Sequence, residues 1–320
     1  MRKEAYIALM GVLLVWIQFG CQPTEHSSIP NDRNSPAEYI HPEDRTLLMG
    51  SFNIRQFGVT KLAKTDVMET LVDIVRRFDL IAIQELRDKD QNVIPIFVKM
   101  LNANGMNYRY EVSERMGYEI TEGRRKTTYF EQFVYIYDAD KLEVTRDSFP
   151  APDIYNIMHR TLYVTSFRCT EPATEPFTFT LMNVHVDPDE IETKIPALQG
   201  IVQNVVQQMP EEDDFIVLGD FNVAAKGLAE KPMLANQFAV IPSELATNTA
   251  GTKSIDNIVF DYEATLEYQG NSGVMDIATE YGLTLDEAAL VSDHMPVWSE
   301  FSIYEKVPAA IASPGRSRIR

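Results

Sequence analysis

Apolar residues along this chain follow two periodicities that alternate from the N-terminal third onward. Short runs at Leu47–Phe52, Leu80–Ile83 and Phe215–Leu218 have the length and continuity of buried strands. Between the first two, Thr65-Asp66 can start a helix whose Val67, Leu71, Ile74, Val75 and Phe78 share one face. Residues Ile94 to Asn104 read as a second helix, closed by Gly105. Hairpin-like strand runs follow at Gln132–Tyr137, Leu142–Arg146, Thr161–Arg168 and Phe177–Val184. A long helix from Glu190 to Met209 carries Ile191, Ile195, Leu198, Val202, Val205 and Met209 at helical spacing, despite Pro196. After strand 215–219 comes a loop-rich stretch, then strand 254–260 and a last strand at 295–303. This mixture of crossovers and hairpins predicts an α/β or α+β class, with packed sheets and outer helices. Periodicity leaves the sheet topology open, and no tandem repeat of fixed period is visible.

The polar residues that end these apolar runs change the picture. Phe215-Ile216-Val217-Leu218-Gly219 stops at Asp220-Phe221-Asn222. The run from Leu47 stops at Asn53, the run from Leu80 at Gln84-Glu85, and Ser292-Asp293-His294 stands just before the last strand. Alternate strand residues point the same way, so Asp220 and Asn222 share a face if the strand continues through them. Carboxylates and amides in such a group suit a hard cation and an anionic oxygen. In open sheets, ligands gather at one edge, where loops leave the strands.

Three histidines fall within the strand-and-helix region. His185 ends the run Leu181-Met182-Asn183-Val184, His294 follows Asp293, and His159 sits beside Arg160 in a loop. Histidine titrates near neutral pH and can move a proton either way. A carboxylate partner fixes its tautomer and stabilises its charged form. Candidate partners are Glu131, before the run at Gln132, and Asp256, in Ser254-Ile255-Asp256-Asn257.

The 320 residues include 47 acidic and 29 basic side chains, a formal net charge of −18, with 45% hydrophobic content. That is enough apolar material for a substantial core. The charge argues against a broad basic surface for polyanions. It leaves room for an enzyme that meets a phosphate through a metal and a few arginines. At the N-terminus, Arg2 and Lys3 precede an apolar stretch from Ala5 to Phe19, followed by Gly20-Cys21. This reads as an export signal (residues 1–21), with Cys21 a candidate lipidated residue of an envelope lipoprotein; plain secretion is the alternative. Residues 22–44 are polar and aperiodic, as in a solvated tether, and 305–320 read as a disordered tail. The intervening span, 45–304, is expected to be one domain. Cys169 follows an alternating run and is expected to be a buried, inert thiol. Nothing implies a protein partner, and a monomer is the expectation.

Taken together, Ser51-Phe52-Asn53-Ile54-Arg55, Ile83-Gln84-Glu85-Leu86-Arg87-Asp88, Tyr129-Phe130-Glu131-Gln132, Asn183-Val184-His185, Gly219-Asp220-Phe221-Asn222, Ile255-Asp256-Asn257-Ile258 and Ser292-Asp293-His294-Met295-Pro296-Val297 resemble the endonuclease/exonuclease/phosphatase superfamily, and within it most closely the deoxyribonuclease I branch. The resemblance implies a two-sheet αββα sandwich with the site at one sheet edge. By the same resemblance, Glu85, Asn53 and Asp293 would hold a divalent cation, Mg²⁺ first and Mn²⁺ second. Asp220 and Asn222 would orient water or phosphate. His294 with Asp256, and His185 with Glu131, would divide acid and base work. Arg87, Tyr129 and Arg160 would meet a DNA substrate, with Arg55 and the Gly123-Arg124-Arg125-Lys126 cluster adding phosphate contacts. The expected activity is an exported phosphodiesterase, a DNA endonuclease leaving 5′-phosphate ends; the alternative is a phosphomonoesterase or lipid phosphodiesterase. The branch's cysteine pairs are absent. The segment between Phe149 and His159 is short and lacks its acidic calcium loop, and the acidic residue that the resemblance would place directly before the threonines of 246–252 is not evident. A dependence on structural calcium is therefore not expected.

Overall fold

A computed structural model describes residues 45–306, apart from 118, 122–123 and 127–129. The export signal with Cys21, the tether, most of the tail and Tyr129 lie outside the described residues. The strands are β1 (Thr46–Phe57), β2 (Leu80–Leu86), β3 (Tyr108–Val112), β4 (Glu119–Thr121), β5 (Arg124–Lys126), β6 (Gln132–Asp138), β7 (Leu142–Pro150), β8 (Tyr163–Cys169), β9 (Thr178–His185), β10 (Phe215–Asp220), β11 (Gln237–Ala239), β12 (Asp256–Asp261), β13 (Tyr268–Val274) and β14 (Val297–Ser302). The helices are α1 (Val59–Leu62), α2 (Thr65–Val75), α3 (Val93–Leu101), α4 (Ile191–Gln208), α5 (Ala225–Glu230), α6 (Ile277–Tyr281) and α7 (Leu285–Val291).

Two mixed six-stranded sheets, ordered β13-β14-β1-β2-β6-β3 and β11-β12-β10-β9-β8-β7, pack face to face with helices outside. The continuous apolar run of β10 shows why. Ile216 and Leu218 join Leu47, Met49, Phe133, Tyr135, Phe179 and Phe260 between the sheets. Their neighbours Phe215 and Val217 face the other way, onto Leu198, Val202 and Val205 of α4. A strand buried on both faces needs apolar residues at every position, because successive side chains point to opposite sides. Pro196 lies inside α4, beyond its first turn, and costs the helix the N–H bond it would have made to Glu192 O. Helix α3 ends as its glycine predicts: a short 3₁₀ turn follows, and Gly105 takes φ 80°. Cys169 is buried, and burial pushes its thiol up to about 12, so it stays protonated.

The loop-rich reading of the C-terminal half undercounts structure. Helices α5, α6 and α7 and strands β11 and β13 all lie there. Edge strand β13 (Tyr-Gln-Gly-Asn-Ser-Gly-Val) is polar and glycine-rich, so it carries no apolar period. Glu305, grouped with the tail by composition, is tied into the fold: it accepts from the Thr178 N–H at 3.0 Å, and its own N–H donates to Glu175 O. Among the described residues, no helix is long and apolar enough to cross a membrane.

Strand direction decides where the polar ends meet. β1 runs parallel to β2, and β9 runs parallel to β10. β6, β12 and β14 run antiparallel to β2, β10 and β1. The C-terminal ends of four strands and the N-terminal ends of three therefore share one end of the sandwich.

Candidate active site

In the second sheet, Asp220 pairs in register with His185 on one side and Asp256 on the other, so all three side chains stand in one row. Gly219 makes that row possible. It has φ 146°, and a Cβ there would lie 2.0 Å from Val184 O. Beyond Asp220 the strand expectation fails. Asn222 has φ 51°, and its N–H donates to Asp220 Oδ1 at 2.9 Å. An aspartate accepting the N–H two residues on makes a turn that competes with continued strand. Asn222 still lines the cleft, but its amide donates to Val186 O at 2.8 Å.

In the first sheet, Glu85 sits in a bulge of β2 with φ 62°. Backbone strain of this kind persists only where surrounding bonds over-determine it. Here the Gln56 N–H donates to Glu85 Oε2 at 2.9 Å, and the Asn53 amide donates to Glu85 Oε1 at 3.3 Å. The same Asn53 amide reaches Asp220 Oδ2 at 3.1 Å, joining the two sheets. Beneath, the Gln84 amide donates to Ser51 Oγ and Asn183 Oδ1, and the Asn183 amide donates to Ile83 O and Val134 O. These buried amides lock the sheets together directly under the cleft.

Two imidazoles face each other across Asp220. His185 Nε2 and His294 Nε2 each lie 3.6 Å from Asp220 Oδ2. Their Nδ1 atoms point away, to Glu131 at 3.0 Å and Asp256 at 2.9 Å. Burial would raise the Glu131 carboxyl. The hydrogen bond to His185 and the charges of His185, Arg160 and Arg87 hold it down at about 2. Burial also disfavours the imidazolium of His294, yet Asp256, Asp220 and Asp293 outweigh it and keep that ring protonated past neutrality. Asp256 is fixed in turn by the Thr247 hydroxyl, which donates at 2.7 Å and accepts from the N–H groups of Ile255 and Asp256.

The arginines divide. Arg87 bridges Glu131 at 2.7 Å and Glu85 at 3.2 Å and lines the cleft. Arg160 also lines the cleft but is largely buried in its floor, with its guanidinium 3.3 Å from Glu131 and 3.5 Å from His185 O. The pull of a buried carboxylate holds it against the floor. Arg55 is half-exposed, 3.3 Å from Asp293.

Besides Thr247, three residues to which the sequence reading gave no role contribute. His159 Nδ1 lies 2.7 Å from Asp187 on the cleft wall. Ser292 donates to Asn53 O at 2.6 Å and accepts from the His294 N–H, so it spaces the two strand ends. Lys61 is buried behind Asn53 and Asp293, donating to Ile54 O and Val291 O. Burial lowers its ammonium to about 8, against the opposing pull of Asp293 and Glu85. The retained threonines of 246–252 were a signal for Thr247. A lysine in a four-residue helix gives none.

The residues fit a divalent cation. Asp293 Oδ1 is buried without a hydrogen-bond partner among the described residues and Glu85 adds hard oxygens, while the Asn53 oxygen accepts from the Arg55 N–H at 3.0 Å and would have to turn to join them. The cleft above measures about 1060 Å³, with Asp187, Asp189, Glu190 and Asp286 on its walls and Lys253 at its rim.

Two packed sheets with helices outside, and one edge bearing two histidine–carboxylate pairs beside an oxygen-rich acidic group, define an α/β sandwich with a hydrolase-like cleft. The family model described as Endonuclease/Exonuclease/phosphatase family matches residues 50–294, and the chain belongs to that family. It is 31% identical over 261 residues to deoxyribonuclease-1-like 1 of Mus musculus, covering 79% of each chain. It is 27% identical over 269 residues to deoxyribonuclease gamma of Mus musculus, covering 78% of this chain and 83% of the relative. The fold is similar to an endonuclease/exonuclease/phosphatase family protein from Bacteroides thetaiotaomicron, with TM-score 0.54, 16% identity, and coverage of 80% of this chain and 97% of that one. It is also similar to D. rerio TDP2 complexed with single strand DNA product, with TM-score 0.53, 16% identity, and coverage of 81% and 100%.

Proposed function

We propose that this protein is an exported, metal-dependent DNA endonuclease that hydrolyses phosphodiester bonds and leaves 5′-phosphate ends. The observation that carries this reading is the pair of imidazoles at equal distance from Asp220, each backed by its own buried carboxylate. Kinship with the deoxyribonuclease relatives supports DNA as the substrate.

Glu85, Asn53 and Asp293 would hold the cation, Mg²⁺ in this proposal with Mn²⁺ as a substitute. Bound there, it supplies charge neutralisation at the scissile phosphate. The chain does the rest. Glu131 and Asp256 fix the Nδ1–H tautomers, leaving each Nε2 directed at the cleft. One imidazole removes a proton from the attacking water as the new O–P bond forms. The other delivers a proton to the 3′-oxygen as the old P–O bond breaks. Asp220, between them, stabilises whichever ring is charged. Arg87 stands where it can meet the substrate phosphate, and Tyr129 and the Arg124-Arg125-Lys126 cluster are proposed to extend that contact. Residues 1–21 are proposed as the export signal, with Cys21 as the lipidated residue.

The test is a cleavage panel with protein lacking residues 1–21: supercoiled plasmid, single strands, RNA, and small phosphomonoesters and lipid diesters, with Mg²⁺, Mn²⁺ or EDTA. Nicking that needs the metal and yields 5′-phosphates is expected. Release of phosphate or a lipid headgroup with intact plasmid would move the assignment to a phosphatase or lipid diesterase.

A further inference from the structure

A second acidic group lies at the opposite end of the sandwich. Asp214 immediately precedes β10, whose far end carries Asp220, about 20 Å away at strand rise. Glu267 immediately precedes β13, and Glu305 follows β14. The chain thus brings a carboxylate from the second sheet against two from the margin of the first. Oxygens of Asp214, Glu267 and Glu305 lie within 4.8 Å of one another, and Glu212 stands beside Asp214.

Hydrogen bonds satisfy only part of this group. Glu305 accepts from the N–H and hydroxyl of Thr178, one Glu267 oxygen accepts from the Lys306 N–H, and Glu212 accepts from the N–H groups of Asp213 and Asp214. Both oxygens of Asp214, Oε2 of Glu267 and the Thr265 hydroxyl remain buried without a hydrogen-bond partner among the described residues. Asp214 and Thr265 are 1% exposed and Glu267 0%. The Thr265 hydroxyl and the Glu305 carboxyl do approach Asp214, though not in hydrogen-bonding geometry. The Lys306 ammonium, on the solvent side, donates to Leu266 O. Unpaired buried carboxylates side by side are strongly unfavourable unless a proton or a cation sits among them.

We propose that Asp214, Glu267 and Glu305, with the Thr265 hydroxyl, form a structural site for a divalent cation, Ca²⁺ by its chemistry, that clamps the two sheets together at the end away from the cleft. Every donor is a hard oxygen, which selects Ca²⁺ or Mg²⁺ over softer metals. The interior position favours Ca²⁺, because Mg²⁺ gives up its water shell reluctantly. Opposed ligands on Ca²⁺ stand about 4.6–5.2 Å apart, a span compatible with the observed cluster. Half-buried Glu305 and Glu212 leave a way in. The site is separate from the segments 149–159 and 246–252, and it does not depend on what the cleft hydrolyses.

The experiment uses the full chain carrying Glu85→Gln, which weakens the cleft's own metal group, stripped with chelator and dialysed at pH 7.5. Thermal melting and calorimetric titration with CaCl₂ should show one saturable site and a melting rise of roughly 5–10 °C at hundredfold excess over the dissociation constant. The rise should vanish when Glu267→Gln or the less buried Glu305→Gln is added, so the proposal stays testable if one of these variants folds poorly. MgCl₂ should give a smaller rise. A melting temperature indifferent to Ca²⁺ in the Glu85→Gln chain, or a rise that survives Glu305→Gln, overturns the proposal and leaves protons as what neutralises the cluster.

Discussion

The two ends of this sandwich gather carboxylates by the same topological device and surround them with different partners. At the cleft, Glu131 faces His185, Arg87 and Arg160; Asp256 faces His294 and Thr247; and Asp220 lies between two imidazoles. At the base, Asp214 and Glu267 face chiefly other acids. The electrostatic outcome follows. At the cleft Glu131 is held down at about 2, and burial raises Asp256 only to about 6 against the pull of His294, whereas at the base burial pushes Glu212 up to about 7 and raises Asp214, Glu267 and Glu305. An acidic cluster by itself therefore says little about chemistry; the counter-charges built around it do. Fixed partners orient proton-transfer groups before substrate arrives, whereas a cluster without them calls for something from solution.

The largest expected effect tests the cleft side of this contrast. His185→Ala or His294→Ala removes one of the two proposed proton-transfer groups while leaving the sheets and their amide ties in place. Plasmid nicking should fall by about 10²–10⁴-fold for each, with an unchanged circular dichroism spectrum. Turnover near that of the parent in either variant would remove that ring from the proton-transfer scheme.

A smaller effect compares the two ends by pH. The folded-state pKa of Glu131 lies below its ordinary 4.5, so its contribution to stability is complete above that value and is lost as pH falls toward about 2. The base carboxyls are raised, so the folded chain holds protons that the unfolded chain releases. Their protonated form supports folding below about 4, and that support is lost as pH rises from there through about 7, the value for Glu212. In EDTA, denaturant midpoints should therefore decline on both sides of a maximum in the acid range. The alkaline decline should be reduced in Glu305→Gln. A midpoint flat from pH 5 to pH 8 in the parent chain would show that the base carboxyls keep ordinary values.

Much of the cleft was readable because each motif sits where an apolar run stops, and a run that stops is a local signal. Gly219-Asp220, Asn183-Val184-His185 and Gln84-Glu85 are of this kind. The arrangement behind them was not local. The left-handed backbone of Glu85 depends on Gln56 and Asn53, and the burial of Arg160 depends on Glu131 arriving from another strand. Helix α7 did carry a start signal, the Thr284/Glu287 capping box, which its weak apolar periodicity obscured. The base cluster had no signature at all. Asp214, Glu267 and Glu305 each look like ordinary acids beside a turn, and only the sheet packing brings them together.

Arg55 gives the finest test, because it belongs to neither a buried network nor an orphan cluster. Its guanidinium lies 3.3 Å from Asp293 with both side chains about half exposed. Exposed pairs of this sort contribute about 0–1 kcal/mol, so Arg55→Ala should leave stability almost unchanged. Its effect on DNA cleavage separates two roles. A phosphate contact predicts a loss of a few fold at low salt, with the salt dependence of binding reduced by about one unit of slope. A role confined to orienting Asp293 predicts an unchanged salt slope and a higher Mg²⁺ requirement. The cleft's distinction from the base rests on paired charges, so the second result would extend that pairing to the metal group itself. The first would mark Arg55 as the point where the paired interior gives way to a substrate-facing rim.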